Sequence, residues 1–444
     1  MSDKNNLKVF VQTFGCQMNE NDSDKILYIM EKEGFSPTND ETRADLIIIN
    51  TCSVRKKPEH KAYSSIGRFK RLKEMNPELI IGAGGCLAQQ EGRKFLLKIP
   101  YVDFVFGTHN IHKLPELIKA SKEKERKVET EFYKEIRSLD IPGYTEKRRV
   151  TNFVTIMQGC NNYCSYCIVP YVRGREESRS SRSIINEITG LAEKGVKEVT
   201  LLGQNVNSYG LNREGELTFP ELLKKISLIE ELKRIRFTTS HPKDMKDELI
   251  LCFKEMEKLA EHIHLPIQSG SDNILLKMGR GYTKTDYFKK VELLRRARPG
   301  IAITTDFIVG FPGETDKDFM ETLDLVKKVE FDEFFSFKYS DRPGTRASFM
   351  EDKIPEHVKS ERLKILQDLQ KNITMKKNRA FFGKVVEVLT EGKSKKNEKQ
   401  LTGRTGLNKI VNFYGEESLT GKLVKVKIEK VYSHSLKGKI FSEN

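Results

Sequence analysis

The sequence predicts an α/β protein in three units. These are an N-terminal doubly wound α/β unit (1–125), a central incomplete parallel (β/α)6 barrel (151–374) and a small C-terminal antiparallel β-barrel of oligonucleotide-binding type (375–444). Residues 126–150 are expected to link the first two. Three observations carry this reading. Strand-length apolar runs alternate with amphipathic segments through the first third. After a charge-dense break the alternation resumes and supplies six strand candidates. From about 375 it gives way to apolar–polar alternation with Gly-rich turns.

In chain order, Leu7 to Thr13 (LKVFVQT) reads as a strand and Ser23 to Lys32 as a helix. Ala44 to Asn50 (ADLIIIN) is continuously apolar enough for a strand buried on both faces. Glu59 to Met75 reads as a basic amphipathic helix and Leu79 to Ala83 as a third strand. The break (KASKEKERKVETEFYKEIR) is dense in charge, as linkers are. FVTIMQG, VKEVTLLGQN, IRFTTSHP, HIHLPIQSG, IAITTDFIVGFPG and EFFSFKYS are the six central strands. Helices such as Ser183 to Lys194 and Lys284 to Arg298 lie between them. GKVVEVLTEG, QLTGRTGLNKIVNF and GKLVKVKIEKVYSHSLKGKIF supply the last barrel.

The 444 residues carry a net charge of +15, which favours an anionic partner, commonly nucleic acid. From 375 to 444, 16 Lys or Arg face 7 Asp or Glu, so about nine of the net charges sit there. Phe381, Phe382, Phe413 and Tyr414 are interleaved with them. Basic surface with aromatics suits RNA, although such aromatics are more often core. The N-terminus MSDKNNLKVF has no apolar signal region, and no apolar run approaches membrane-spanning length. A cytoplasmic protein is expected, in which seven cysteines stay reduced and clustered ones point to metal or catalysis.

Cys160, Cys164 and Cys167, in GCNNYCSYCIVPYVRG, have the spacing Cys-x3-Cys-x2-Cys. So tight a loop can offer three thiolates to one centre, one fewer than a four-iron cube takes from protein alone. An iron left open can bind substrate or cofactor. Half a zinc site on Cys164 and Cys167, or three unrelated core cysteines, are the plainer alternatives. Cys16, Cys52 and Cys86 each follow one of the first three strands. Parallel strands end along one edge, so these three can converge, with Gly15, Gly84 and Gly85 allowing tight turns. Inert loop cysteines are the alternative there. Cys252, in LILCFKEM, reads as core. His241 and His264 are strand-end residues, and neither is read as a ligand.

The Cys-x3-Cys-x2-Cys loop resembles the signature of radical S-adenosylmethionine enzymes. The whole chain resembles the methylthiotransferases, which join an N-terminal three-cysteine domain, a radical S-adenosylmethionine core and a C-terminal TRAM domain. The strings that carry this are TFGCQMNENDSD, NTCSVRKKPEHK, GCLAQ, CNNYCSYCIVPYVRGREESR, GQNVNSYG, SHP, HLPIQSGS, MGRGYT and DFIVGFPGET. Gln-Met-Asn after Cys16 and Ser-Val-Arg after Cys52 point to the branch acting on isopentenylated adenosine at position 37 of tRNA. They point away from the branches for threonylcarbamoyladenosine and for an aspartate of ribosomal protein S12, which stand as the alternative substrates.

The resemblance implies two [4Fe-4S] clusters. One, on Cys160, Cys164 and Cys167, splits S-adenosylmethionine to a radical that takes hydrogen from C2 of the adenine. The other, on Cys16, Cys52 and Cys86, holds the sulfur, and a second S-adenosylmethionine supplies the methyl group. All six cysteines are thus metal ligands in catalytic positions. Gln204, Ser240, Gln268 and Asp306 are expected to hold the cofactor's polar groups, and Gly310 and Gly313 to admit its adenine, with structural hydrogen bonding of the rim as the alternative. Arg173, Arg175 and Arg179 suit substrate phosphate, cofactor carboxylate or simply a solvated face. Implied partners are the tRNA anticodon loop, a reducing donor such as flavodoxin or ferredoxin, and an unidentified sulfur donor. The chain is expected to be a monomer. An electron-transfer protein would need four thiolates per cluster, and a non-catalytic RNA binder would keep its function without Cys160, Cys164 and Cys167.

Overall fold

In the computed structural model, residues 7–442 are described except 54–55, 135 and 145–148 (side chains also excepted at 56–58 and 60). The N-terminal unit is a six-stranded, wholly parallel sheet. Its strands are β1 (Leu7–Thr13), β2 (Phe35–Pro37), β3 (Leu46–Thr51), β4 (Ile80–Gly84), β5 (Phe104–Phe106) and β6 (Lys127–Glu129), in the order β2-β1-β3-β4-β5-β6. Helices α1 (Gln17–Lys32), α2 (Lys56–Met75), α3 (Gly85–Glu91), α4 (Arg93–Lys98) and α5 (Leu114–Lys122) cover it. Apolar clusters lie on both faces: Ile47, Ile49, Phe69 and Phe95 on one, Ile48, Met30 and Phe104 on the other. This double burial explains the unbroken apolar run of β3, all of whose residues are buried.

Two expectations shift here. β2, β5 and β6 have three residues each, too short to show a period. β6 takes residues 127–129 out of the expected linker and into the sheet. Helix α1 starts at Gln17, not Ser23, because Met18, Asn19, Asn21 and Asp22 are buried through largely polar contacts. A hydrophobic pattern cannot register a helix face of that kind.

The central unit has the six expected parallel strands in sequential order: β7 (Thr151–Thr155), β10 (Glu198–Leu202), β11 (Arg234–Thr238), β12 (His262–His264), β13 (Ala302–Val309) and β14 (Glu333–Lys338). They form two halves, β7-β10-β11 and β12-β13-β14, joined by a single bridge between Ile235 and Leu259. The barrel is therefore open. The cysteine loop is closed at its base by a small antiparallel pair, β8 (Met157–Gln158) with β9 (Glu177–Ser178), and carries α6 (Val169–Arg173). Helices α7 (Ser181–Glu193), α8 (Phe219–Ser227), α9 (Asp247–Glu255), α10 (Asp272–Lys277), α11 (Lys284–Ala297) and α12 (Asp316–Val329) flank the strands, and Cys252 is buried in their core. Helix α13 (Glu356–Arg379) packs on β14 and runs through the expected boundary at 374.

The C-terminal barrel closes in the order β15-β16-β17-β19-β18, over β15 (Val385–Ser394), β16 (Asn397–Arg404), β17 (Ile410–Tyr414), β18 (Leu423–Val431) and β19 (Leu436–Ile440). It is not wholly antiparallel, because β17 and β19 pair in parallel to complete the closure. Phe413 is core, whereas Phe382 and Tyr414 are 67% and 55% exposed.

The barrel seats where the central strands begin. Arg234 and Arg236, joined to buried Glu198, donate to the carbonyls of Arg404, Thr405 and Gly406. Gly421 approaches Val150 and Lys197, and Gly406 approaches Glu261.

Candidate metal and cofactor centre

The first cysteine set sits at the sheet's winding reversal. The chain winds one way from β1 to β2 and the other from β3 onward, which opens a crevice between the C-terminal ends of β1 and β3. Cys16 follows β1, Cys52 follows β3 and Cys86 follows the adjacent β4. Two glycines allow the approach. A Cβ on Gly15, at φ +130, would lie 2.6 Å from Cys52 Cβ. One on Gly85, at φ +88, would lie 2.4 Å from Asn50 Oδ1 and from the Thr51 carbonyl.

Cys16 is the N-cap of α1, so the unsatisfied amides of that helix's first turn face the crevice. Its thiol donates to Asn19 Oδ1 at 3.4 Å. Asn19 Nδ2 in turn donates to Asn50 Oδ1 and the Thr51 carbonyl, each at 2.9 Å, and Asn50 Nδ2 donates back to the Asn19 carbonyl at 2.8 Å. This amide lattice fixes the first turn of α1 to the end of β3. The sequence reading passed over both asparagines; their places directly beside Cys16 and Cys52 were the available signal.

The second set lies on the loop after β7 and β8. Gly159 turns the chain at φ +83, where a Cβ would lie 2.0 Å from the Arg175 carbonyl. Gln204 Oε1 accepts from the Gly159 amide at 2.5 Å. Asn162 Nδ2 lies 3.6 Å from Cys160 Sγ. Arg280 is buried and spends its donors in this loop's surroundings: on Cys164 Sγ at 3.3 Å, Tyr166 Oη at 3.4 Å, Tyr282 Oη at 2.9 Å and the Pro266 carbonyl at 2.6 Å. Arg280 stands in MGRGYT and was not singled out from sequence. A charged residue between two glycines, in the turn between two helices, was its mark.

The two sets share a wall. Cys86 packs against Ile168 and Val172 of the Cys167 loop. Thr155 Oγ1 donates to Asn21 Oδ1 at 2.6 Å, and Asn21 Nδ2 to the Phe153 carbonyl at 3.1 Å, so α1 docks on β7. Arg173 pairs with Asp22 at 2.7 Å, with both side chains buried. Arg179 is likewise buried, against Glu187 and Asp140. Of the three arginines only Arg175 is exposed. Arg173 ties the central unit to α1, and Arg179 ties the connecting segment at Asp140 to α7, where the sequence left phosphate, carboxylate or solvent open.

Burial pushes the Cys86 thiol up to about 12, against the opposing charge of Arg173, with Cys52 and Cys16 adding to the rise. Burial likewise raises Cys167 to about 12, with Cys164 and Cys160 adding to the rise, and Cys160 to about 11. Cys86, Cys160 and Cys167 would thus be protonated without a metal, and in each set a neighbouring cysteine lies close enough to add to the rise. Binding to iron supplies what burial withholds, because coordination deprotonates a thiol. Among the described residues no three His, Cys, Asp or Glu side chains sit as ligands of one ion. Thiols on separate corners of a cube need not converge on one point, so three thiols per set fit an iron–sulfur cluster with one corner open.

Of the residues expected to hold a cofactor, Ser240 Oγ and Asp306 Oδ1 are buried without a partner among the described residues. The other Asp306 oxygen lies 3.5 Å from His264 Nε2. Gln268 is held at φ +79 between the Asp306 carbonyl and the Ile308 amide. Gln204 is committed to the cysteine loop. The space at Gly310 is filled by the Lys359 stem, and that at Gly313 by Lys277 Nζ. The two orphaned oxygens, one just past β11 and one within β13, suit a polar ligand.

Three family descriptions match consecutive parts of the chain: the Radical SAM superfamily over 154–326, the TRAM domain over 379–441, and UPF0004, an uncharacterized protein family, over 8–107. These define a radical S-adenosylmethionine enzyme with an RNA-binding type of appendage. The tRNA-2-methylthio-N6-dimethylallyladenosine synthase of Syntrophus aciditrophicus is 55% identical over 98% of this chain and 95% of its own length. Those of Geobacter metallireducens and Clostridium botulinum are 54% and 49% identical, each over 97% of this chain. The chain belongs to that family of synthases. Membership brings S-adenosylmethionine and iron–sulfur as its cofactor chemistry. Among solved structures, the methyltransferase TsrM from Kitasatospora setae matches with TM-score 0.55, at 16% identity over 77% of this chain and 75% of that one, a likeness of fold.

Proposed function

We propose that this enzyme methylthiolates C2 of N6-isopentenyladenosine at position 37 of tRNA. Two S-adenosylmethionine molecules and two [4Fe-4S] clusters serve the reaction, one cluster on Cys160, Cys164 and Cys167 and one on Cys16, Cys52 and Cys86. The observation that carries the reading is the pair of three-thiol sets with a shared wall, in a chain that matches named synthases over nearly its whole length. When bound, the first cluster supplies the electron that splits S-adenosylmethionine, and the second supplies sulfur. Gln204 fixes the turn at Gly159, Arg280 sets its charge against Cys164, and Ser240 and Asp306 present free oxygens to the cofactor. Cys86 of one set packs on the loop that carries the other, so both sets can serve one base. An unstacked base of the anticodon loop suits such a site.

A cytoplasmic monomer, reduced by flavodoxin or ferredoxin, fits this reading. Reduced thiols and cluster chemistry need a reducing compartment. No helix among the described residues is long and apolar enough to cross a membrane. Nucleoside mass spectrometry on tRNA from cells lacking the gene tests the substrate. Loss of the 2-methylthio nucleoside, accumulation of its isopentenyl precursor and reversal on restoration are expected. An unchanged nucleoside would move the target to threonylcarbamoyladenosine or to ribosomal protein S12.

A further inference from the structure

On its inner side the Cys160 loop is closed off. Cys164 is buried, with its sulfur 3.3 Å from Arg280 Nη1 and 3.9 Å from His241 Nε2. On its outer side the cover is thin. Tyr163, the residue before Cys164, is 40% exposed. Tyr171, on α6 and four residues after Cys167, is 43% exposed. The two rings meet edge to face, with centroids 6.3 Å apart and planes at 88°. Tyr163 stands at φ +46, a left-handed backbone that a bulky residue seldom adopts unsupported. Its support is Arg346, whose Nη2 donates to the Tyr163 carbonyl at 2.6 Å.

Arg346 opens the 3₁₀ turn Arg346–Phe349, which the Ala347 amide fastens to the Ser165 carbonyl at 2.8 Å. Residues three apart share a side of such a turn, so the exposed Phe349 flanks the exposed Arg346. Lys243 is exposed as well and donates to Asn162 Oδ1, beside Tyr163 in the chain, at 3.0 Å. Neither cation has a carboxylate in salt-bridge reach among the described residues. Tyr, Phe and Arg are the types enriched where proteins meet. RNA also takes aromatics and cations, but rings at 88° leave no slot for a base, and the basic C-terminal barrel lies at the other end of the central strands. A small aromatic face with a few unpaired cations suits a protein that docks briefly and carries the opposite charge. The centre behind Tyr163 has to receive its electron from outside, and here a single residue of chain covers it.

We propose that Tyr163, Tyr171, Phe349, Arg346 and Lys243 form the docking face for a small acidic electron-carrier protein. This rests on the reading that Cys160, Cys164 and Cys167 hold a cluster. One electron passes at each encounter: the carrier is oxidised, the cluster is reduced, and no bond forms or breaks. The tyrosines and Phe349 supply the dry contact, and Arg346 and Lys243 steer the acidic partner onto it.

The test uses the full chain with Cys16, Cys52 and Cys86 changed to alanine, loaded anaerobically with iron so that only the Cys160 centre reports. Flavodoxin serves as the acidic carrier. Anisotropy of labelled, oxidised flavodoxin gives its affinity. The electron paramagnetic resonance signal gives the rate of cluster reduction, once by reduced flavodoxin and once by dithionite, which is too small to need a docking face. Tyr171→Ala with Lys243→Glu leaves the Tyr163 turn and its Arg346 bond in place. This pair should lose at least tenfold in flavodoxin affinity and in reduction by flavodoxin, with its iron content and dithionite rate unchanged. Arg346→Glu should lose at least as much, and Arg346→Lys should recover most of it. Salt should weaken flavodoxin binding by the parent more than by the pair. Unchanged flavodoxin affinity in the pair overturns the proposal. So does an equal slowing with dithionite, which would make these residues supports of the loop. So does a loss of tRNA affinity with flavodoxin affinity kept, which would give the face to RNA. A parent whose iron is reduced by dithionite but which neither binds flavodoxin nor is reduced by it overturns the proposal and leaves the cluster reading intact. A parent that takes up no iron defeats the cluster reading itself.

Discussion

At Cys164 a buried guanidinium faces a thiol at 3.3 Å, and this sets the electrical environment of the cluster proposed on that loop. Reducing a cluster adds negative charge, and a fixed cation nearby favours that state; hydrogen bonds to the sulfurs act in the same direction. Arg280→Gln should therefore move the midpoint potential of the Cys160 centre to a more negative value and slow reductive cleavage of S-adenosylmethionine. Arg280→Lys, which keeps the charge, should restore most of the potential. Spectroelectrochemical titration checks this, and equal potentials in an iron-loaded Arg280→Gln variant would sink it. A second prediction belongs to Gly15. Alanine there meets both a φ of +130 and a Cβ only 2.6 Å from Cys52 Cβ. Gly15→Ala should lose the N-terminal iron and keep the other centre, leaving roughly half the iron of the parent. Iron assay and the retained cleavage of S-adenosylmethionine measure it.

Helix α1 shows what a sequence pattern carries and what it cannot. Both cysteine triplets were legible. One was a compact spacing, and the other was three positions each within a few residues after a strand. The six central strands were legible too, as short runs rich in β-branched and aromatic residues, even where Arg234, Arg236 and Glu333 break their apolar character. The first turns of α1 were not, because they are buried by amides, Asp22 and the barrel, and hydrophobic periodicity is blind to that. Arg173 and Arg179 were undecidable for a related reason: a buried arginine and a phosphate-binding one are the same letter until the carboxylate partner appears. The amide lattice of α1 gives an element-scale prediction. Asn50→Ala strips the Asn19 side chain of one acceptor and its carbonyl of a donor, inside the core. Each unsatisfied buried group costs about 1–3 kcal/mol. The variant should melt earlier and load less iron at Cys16, Cys52 and Cys86, while the Cys160 centre is unaffected. Melting curves with site-resolved Mössbauer spectra would show it.

Across the whole molecule, the cysteines and the basic barrel lie at opposite ends of the central strands. The cysteine loop leaves β7 at its C-terminal end. The barrel's 404–406 turn is gripped by Arg234 and Arg236, near the start of β11. Strands of five to eight residues separate the two ends by roughly 16–26 Å at about 3.3 Å per residue. An RNA whose target base enters the cysteine site must therefore run along the outside of the molecule to reach the barrel. The barrel carries like charges across its strands: Lys427 lies opposite Lys439, which Glu429 partly neutralises, and Lys430 lies opposite Lys437. Tyr414 is exposed beneath Lys437 Nζ at 5.1 Å, a surface suited to phosphate and base together. Changing Lys427 and Lys430 to Glu should weaken binding of full-length tRNA and reduce its salt dependence by about one ion per lysine removed. An isolated anticodon stem-loop lacks most of the backbone that would run on along the molecule, so its affinity and its rate of modification should change less. Fluorescence anisotropy with both RNAs, at several salt concentrations, separates the cases. Equal losses for the two RNAs would mean that the barrel leaves its seat and closes on the anticodon arm, and replacing Arg234 and Arg236 with Ala should then strengthen stem-loop binding by freeing it.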